Sequence, residues 1–412
     1  MTQQHQAIKN FNWFDDSEIA TSSLYSESLA LNADGSDSAE NSEPILQTAE
    51  AETPLTNTIT VGNPEGTQFT FNYAEDTPQE VIDGVTEAAD YWSSFLLDDV
   101  DLQFDFTFTP GEPNNLGGTA STSVQLPYTE VNQALADDIT SPDDQTAVTY
   151  LPEGSVPFLI NNTSENNGSD TPYLDNNAGL NNSTIELTTA NAKALGFSSE
   201  YIAEAMEDTP EENVDAKINF SSNIAWDFDA SDGIAPDAHD FTGVVFHEIG
   251  HALGFTSSAN YLDLYANKSL NELSETLGVD IPTLIAEANE DGIEGIDDGE
   301  DIVDQFISDN EYIPSSLDLF RFSPESFVQG ARDFTTGILE DKYFSIDGGQ
   351  TRIASLSTGV YTGDGEQLSH WQDNLGDNPN IGILDPTGDT GEFLEFTNND
   401  LLAFDVIGWD LA

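Results

Sequence analysis

The chain predicts an α+β fold: a twisted mixed sheet over one histidine-bearing helix, with a large, mostly helical segment inserted later. Three observations predict it. The stretches "TITV", "TQFTFNY" and "DLQFDFTF" alternate apolar and polar residues, the period of a strand with one buried face. Between the second and the third, residues 77–97 place Val81, Ile82, Val85, Ala88, Ala89, Trp92 and Phe95 at helical spacing. The third observation is "VVFHEIGHALGF", Val244 to Phe255, an apolar helix with ionisable side chains at a four-residue interval.

Residues 1–57 are rich in Ser, Glu, Asp, Asn and Ala and poor in apolar periodicity, so a disordered acidic leader is expected there. The ordered domain is expected over 58–412, with an N-terminal subdomain at 58–255 and a C-terminal one at 256–412. Residues 110–182 are dense in Gly, Pro, Asn and Asp and read as loops, with a short helix over 128–137. "AKINFSSNIAWDFD" alternates at Ile218, Phe220, Ile224 and Trp226 and reads as a strand, while 267–309 is acidic and mostly helical. The stretch "EFTNNDLLAFDVIGWDLA" starts with Thr397 as helix N-cap and Asp400 three residues on, ahead of an apolar run. No internal repeat is present, so one large domain after a tail is the economical count.

Composition narrows the function. Among 412 residues, Asp and Glu number 77 against 8 Lys plus Arg, a formal net charge of -69. Phosphate binding needs clustered cations, so nucleic acid is excluded as a partner, and an anionic membrane surface repels such a chain. Cations are the natural companions: structural Ca2+ at Asp- and Asn-rich loops, or a salty medium that screens self-repulsion. There is no cysteine, so disulfides and thiolate chemistry are absent and any metal must rest on His, Asp or Glu. No stretch has the length of a membrane span, and the first residues lack the basic and apolar regions of a secretory signal. A cysteine-free acidic chain suits an extracellular or cell-surface place, although no export route is visible and a cytoplasmic one stays open. Oligomeric state is not legible.

A helix turns about 100° per residue, so His247 and His251 share one face a turn apart and both imidazoles can reach one ion. Glu248 projects beside them, placed to take a proton from a metal-bound water. Asp240 is a suitable N-cap and Gly254 can end the helix in a left-handed conformation. The plain alternative, a chance match on an amphipathic helix, does not explain a capped helix that stops at glycine three residues later. Catalytic zinc wants three protein ligands and an open position. Of the five histidines, His5 lies in the leader and His239 about a helix length from the pair, which leaves His370 in "LSHWQDN". The following "PNIGILDPTG" has the Gly and Pro of a tight turn that could close beneath the site. Glu272, about twenty residues past His251 where thermolysin-like enzymes carry their glutamate ligand, competes for the third position, with solvated helix surface as its plainer role.

"HEIGHALGF" resembles the H-E-x-x-H-x-x-G-F core of the metzincins, zinc endopeptidases whose consensus continues to a third histidine. Here that position is Ser257, a poor zinc ligand. Leishmanolysin-like metzincins insert a large segment at this point and bring the third histidine from far downstream as His-Trp, before a methionine turn. "SHW" at Ser369 to Trp371 and "GILDP" at Gly382 to Pro386 are similar to that arrangement, with Leu384 in the methionine's place and Pro386 closing the turn beneath the zinc. Met and Leu have similar volume and both pack apolar surface. The resemblance covers about 241–255 and 369–409, and the absence of disulfides points to a bacterial branch distinct from leishmanolysin itself.

The resemblance implies a zincin fold, His247, His251 and His370 on Zn2+, Glu248 as general base, and an insertion from Ser257 to about Leu368 in which "LDLFRFSP" and "YFSIDGG" are packed. It implies a zinc-dependent endopeptidase with protein or peptide substrates, which would pair with an edge strand of the sheet; "AKINFSSNIAWDFD" is expected to be that edge. Two alternatives remain: a catalytically silent surface protein that keeps the fold and binds cations, and a peptidase using Glu272.

Overall fold

The alternating stretches form strands, and their apolar faces all turn to one side. The computed structural model describes residues 28–32, 54–111, 115–206, 214–266, 308–337, 341–373 and 381–412. Its main sheet contains β1 (Ser28–Asn32), β2 (Leu55–Gly62), β3 (Gln68–Ala74), β4 (Asp101–Thr109), β5 (Asn115–Ser121) and β6 (Ala216–Ser221). Across the sheet their order is β1-β5-β6-β4-β3-β2. Strands β3, β4 and β6 run parallel, and β2 and β5 are antiparallel to their inner neighbours. The parallel pair β3–β4 needs a crossover, which helix α1 (Gln79–Phe95) supplies.

Helix α2 (Phe241–Ala252) carries the histidine motif and packs against both α1 and β5. Phe69, Phe71, Leu102, Phe104, Phe106, Ile218 and Phe220 of the sheet are buried, and Phe220 meets Phe241 of α2 with ring centroids 5.2 Å apart. Gly84 of α1 allows the two helices to meet closely, because a Cβ there would lie 2.6 Å from Phe241 Cδ1. Trp92 closes this layer from α1: its Nε1 donates to Phe246 O at 3.2 Å, and its ring meets Phe396 and Phe404 edge to face. Phe404 belongs to α3 (Asn398–Val406), whose Thr397 and Asp400 form the expected capping box. Four smaller sheets accompany the main one among the described residues: 123–127 with 184–188, 158–160 with 173–175 and 332–334, 321–322 with 342–344 and 354–356, and 226–227 with 239–240. The structure is thus mixed α+β, and no helix among the described residues is long and apolar enough to cross a membrane.

Several expectations need correction. Strand β6 is interior, between β5 and β4, and it ends at Ser221; Trp226–Asp227 is a separate short strand. Residues 110–182 are not mainly loops, because β5 and Ser123–Pro127 lie within them. The glycines of "NLGGTAS" read as turn signals, whereas Gly117 serves close packing: a Cβ there would lie 3.3 Å from Val244 Cγ1 and 3.2 Å from Glu248 Oε1. Within the segment read as disordered, Ser28–Asn32 is a strand and β2 already begins at Leu55. The expected mostly helical insertion is, among its described residues, short strands and 3₁₀ turns with two short helices, Ala259–Tyr265 and Pro324–Gln329. "LDLFRFSP" and "YFSIDGG" are packed parts of it. Residues 267–307, with most of the acidic helical expectation, lie outside the described residues.

Three of the few cations work inside. Arg321, Arg332 and Lys342 are buried: Arg332 donates from Nε to Leu319 O at 3.1 Å and from Nη2 to Tyr150 O at 2.7 Å, and Lys342 pairs with Asp333 at 3.1 Å. Acids meanwhile crowd one another. Asp98, Asp138 and Asp410 bring one carboxylate oxygen each within 4.8 Å of the others. Burial, reinforced by the facing carboxylates, pushes Asp98 up to about 7 and Asp138 up to about 8. In the unfolded chain both return to ordinary carboxylate values, so between about pH 6.5 and 8 the folded state holds more protons and stability falls as pH rises. The thermal midpoint of the metal-free protein should therefore drop by about 2 °C or more across that window, and less in high salt. A flat or rising midpoint in calorimetry would contradict this account.

Candidate metal and catalytic site

Asp240 caps α2 as expected, accepting Gly243 N–H at 2.9 Å. At the other end Gly254 adopts φ +117°, and Phe255 N–H reaches back to Gly250 O at 3.2 Å. That reversal turns the Phe255 carbonyl toward the helix, where His251 Nδ1 lies 2.8 Å from it. Glycine is required at this position twice over, by its φ and by Asn191, whose Cβ would sit 3.0 Å from an added methyl.

His247 obtains its partner from the far end of the chain, with Nδ1 2.8 Å from Ile383 O. Ile383 lies in a tight turn closed by Asp385 N–H donating to Gly382 O at 3.3 Å, the turn expected from "GILDP". Leu384 and Pro386 are buried, and Leu384 lies against Gly250 of α2, where an added Cβ would come within 3.1 Å of its side chain. The turn thus runs beneath the histidine pair.

His370 joins the two. Its Nδ1 lies 3.2 Å from Gln367 O, and its Nε2 is 3.2 Å from both His247 Nε2 and His251 Nε2, themselves 2.9 Å apart. A carbonyl only accepts, so each Nδ1 carries the proton and each Nε2 presents a lone pair. Three lone pairs aimed at one point repel unless a cation lies among them. Their spacing is close to the ~3.3 Å between ligand nitrogens of a tetrahedral zinc with Zn–N near 2.05 Å. The rings are 0–1 % exposed. Burial holds His247 down to about 4, and burial together with the neighbouring imidazoles holds His251 and His370 well below the usual histidine value. All three are therefore neutral, the ligating form, and the donor set fits a zinc ion.

Glu248 is fully buried beside them. Thr119 Oγ1, on β5, lies 2.7 Å from Glu248 Oε2 and 2.9 Å from Glu248 O, so its single proton fixes the carboxylate against the sheet. Thr119 was not legible as a site residue: a threonine in a Gly-rich strand gives no signal until the strand is placed beside the helix.

Asp400 was legible only as a helix cap. It is fully buried and serves three segments: Oδ1 accepts Trp371 Nε1–H at 2.8 Å, and Oδ2 accepts Thr397 N–H at 2.7 Å and Ile383 N–H at 2.9 Å. It thereby ties the closing helix to the turn under His247 and to the neighbour of His370. Ser257, at the place of the consensus histidine, instead donates its N–H to Ser369 Oγ at 2.8 Å and its hydroxyl to Asp318 at 2.6 Å. Asn260 Nδ2 also donates to Ser369 Oγ, at 2.7 Å, and its Oδ1 accepts Leu368 N–H at 2.6 Å. These bonds hold the His370 segment against the start of the insertion. His239 stands apart, with Nδ1 2.8 Å from Gly388 O. His5 and Glu272 lie outside the described residues.

Removing the Asp400 carboxylate should loosen His370 and the turn together. Asp400→Ala should weaken zinc binding by about 10- to 100-fold in chelator competition, the range for outer-shell partners of metal ligands. Unchanged affinity in a folded variant would show that the turn holds itself. No family model matches the chain, and no curated protein or solved structure matches it.

Proposed function

We propose that the chain is a zinc-dependent endopeptidase of the metzincin kind. The observation that carries the reading is the meeting of three neutral Nε2 atoms, two from one helical turn and one from over a hundred residues away, with a buried carboxylate at the intervening Glu248. The tight turn beneath the pair, with Leu384 against Gly250, is a second support, as is β5, which runs antiparallel to its inner neighbour beside α2.

Zinc held by His247, His251 and His370 would supply Lewis acidity, lowering the pKa of a bound water to about 7 and polarising a scissile carbonyl. The residues do the rest. Glu248 takes the proton of the attacking water and passes it to the leaving amine nitrogen, so the peptide bond is hydrolysed without a covalent intermediate. Thr119 keeps that carboxylate in one orientation through the transfer. The three Nδ1–carbonyl bonds keep the Nε2 atoms unprotonated and aimed.

The near-complete burial of the three rings and of Glu248 favours a second reading: a closed cation site in a catalytically silent surface protein. The presence of Glu248 speaks against it, because that carboxylate adds little to zinc affinity.

Casein digestion by the zinc-loaded protein should be abolished by a chelator and reduced at least ~10³-fold in Glu248→Gln, with zinc content unchanged. Equal digestion in all three would mean a contaminant, and none in any would favour the silent reading. Mass spectrometry of His370→Ala and Glu272→Ala decides the third ligand: the first is expected to lose zinc and the second to keep it. Thr119→Val should lower kcat about 10-fold at unchanged zinc content, the cost of a misoriented general base.

A further inference from the structure

Two of the segments that turn the imidazoles of the histidine centre lie side by side. Trp371 N–H, next to His370, donates to Leu384 O at 2.9 Å, while Gln367 O and Ile383 O hold the Nδ1 atoms of His370 and His247. Acids gather along this seam. Glu366 and Asp373 flank His370 on one segment, and Asp385 follows Leu384 on the other. Thr387 joins the two, because its Oγ1 lies 3.4 Å from Asp373 Oδ1 and 3.3 Å from Asp385 Oδ1.

Two of these carboxylates differ from a solvated acidic face: they are buried without the donors that buried carboxylates ordinarily have. Asp385 is 4 % exposed; its Oδ1 accepts Thr387 N–H at 3.2 Å, but its Oδ2 is fully buried with no partner among the described residues. Glu366 is 9 % exposed, and its carboxylate receives no hydrogen bond from a described residue. It faces Asp385 and Asp373, with Asp364 beside it. Among the described residues, no Lys or Arg is among the charges that act on either group. Burial first, and the neighbouring carboxylates after it, push Glu366 up to about 8 and Asp385 up to about 7. A cation among these oxygens removes the repulsion and meets the unfilled acceptors together.

The donors are all oxygen, carboxylates and one hydroxyl, a set that suits a hard divalent ion. An irregular shell completed by water suits Ca2+ better than Mg2+, which demands near-ideal octahedral geometry. Zinc is drawn instead to the three imidazoles.

We propose that Glu366, Asp373 and Asp385 form a calcium site, with Thr387 as a further oxygen donor, and that the bound ion braces the His370 segment against the turn beneath His247. The ion ties together the two segments whose carbonyls aim those histidines, so calcium in the medium sets how firmly zinc is retained. The site stands apart from the peptidase reading, since a brace of this kind needs no catalysis.

Amide exchange on the full chain, with zinc and without it, tests the site. Calcium at ~1 mM, compared with NaCl of matched ionic strength, should slow exchange at residues 364–373 and 381–387 about 10-fold, the factor for an ion at ~10 times its dissociation constant. Glu366→Gln/Asp385→Asn keeps the side-chain shapes and removes the charges, so calcium should slow nothing there. No slowing in the unaltered chain, equal slowing in NaCl, or equal slowing in the altered chain overturns the assignment. The first two outcomes decide even where the altered chain fails to fold.

Release of zinc to a chromophoric chelator tests the brace. Calcium should slow it about 10-fold in the unaltered chain and leave it unchanged in Glu366→Gln/Asp385→Asn. Slowed exchange with unchanged release overturns the brace and leaves the ion site. Both effects without casein cleavage leave the calcium site standing and remove the peptidase; cleavage without either effect does the reverse.

Discussion

Three imidazole lone pairs held face to face in an apolar interior are the constraint on which the rest of the structure depends. Each ring is turned to its place by a backbone carbonyl on Nδ1, and the carbonyls belong to three different segments: the reversal after α2, the turn at Gly382–Asp385, and the loop before His370. Much of the surrounding architecture is the means of delivering those carbonyls. Gly254 permits the reversal, Asp400 fastens the turn to the closing helix, and Ser257 with Asn260 holds the His370 segment. Such an arrangement is poor as a purely apolar core, because neutral nitrogens with unshared lone pairs lose hydration without gaining donors. A divalent ion removes the conflict.

The sheet edge answers to a second demand. Gly117 has no side chain, so α2 can approach β5 closely enough for Thr119 to hold Glu248. The same strand, beside the site and antiparallel to its inner neighbour, would leave a row of backbone groups open to pairing if it were uncovered. Here Ser28–Asn32 pairs with it. The charge distribution is consistent with the same economy of interactions. With so few cations in the chain, Arg321, Arg332 and Lys342 lie inside the second half, where burial strengthens their bonds to carbonyls and to Asp333.

Features set by local spacing were legible in the residues alone. The α+β class, α1, the capped histidine helix, the helix over 128–137 and the Thr397–Asp400 box all follow from period, cap and breaker, which act within a few residues. His370 was reachable by elimination because histidine is scarce in this chain, and Leu384 because a Gly–Pro turn has a local signature. Strand β5 was misread because glycine reports both turns and close approach, and only the neighbouring helix tells them apart. Strand β6 was placed at the edge because chain order says little about order across a sheet.

By itself, then, the sequence determined which residues could ligate a metal, which carboxylate stands between the histidines and which apolar stripes must be buried. Only the tertiary structure decided that the Nε2 atoms meet, that Thr119 and Asp400 support the site, and that Ser28–Asn32 lies along β5. Those facts depend on contacts between residues 17 to 129 apart in the chain, set by how helices and strands pack, and no period within a local window encodes them.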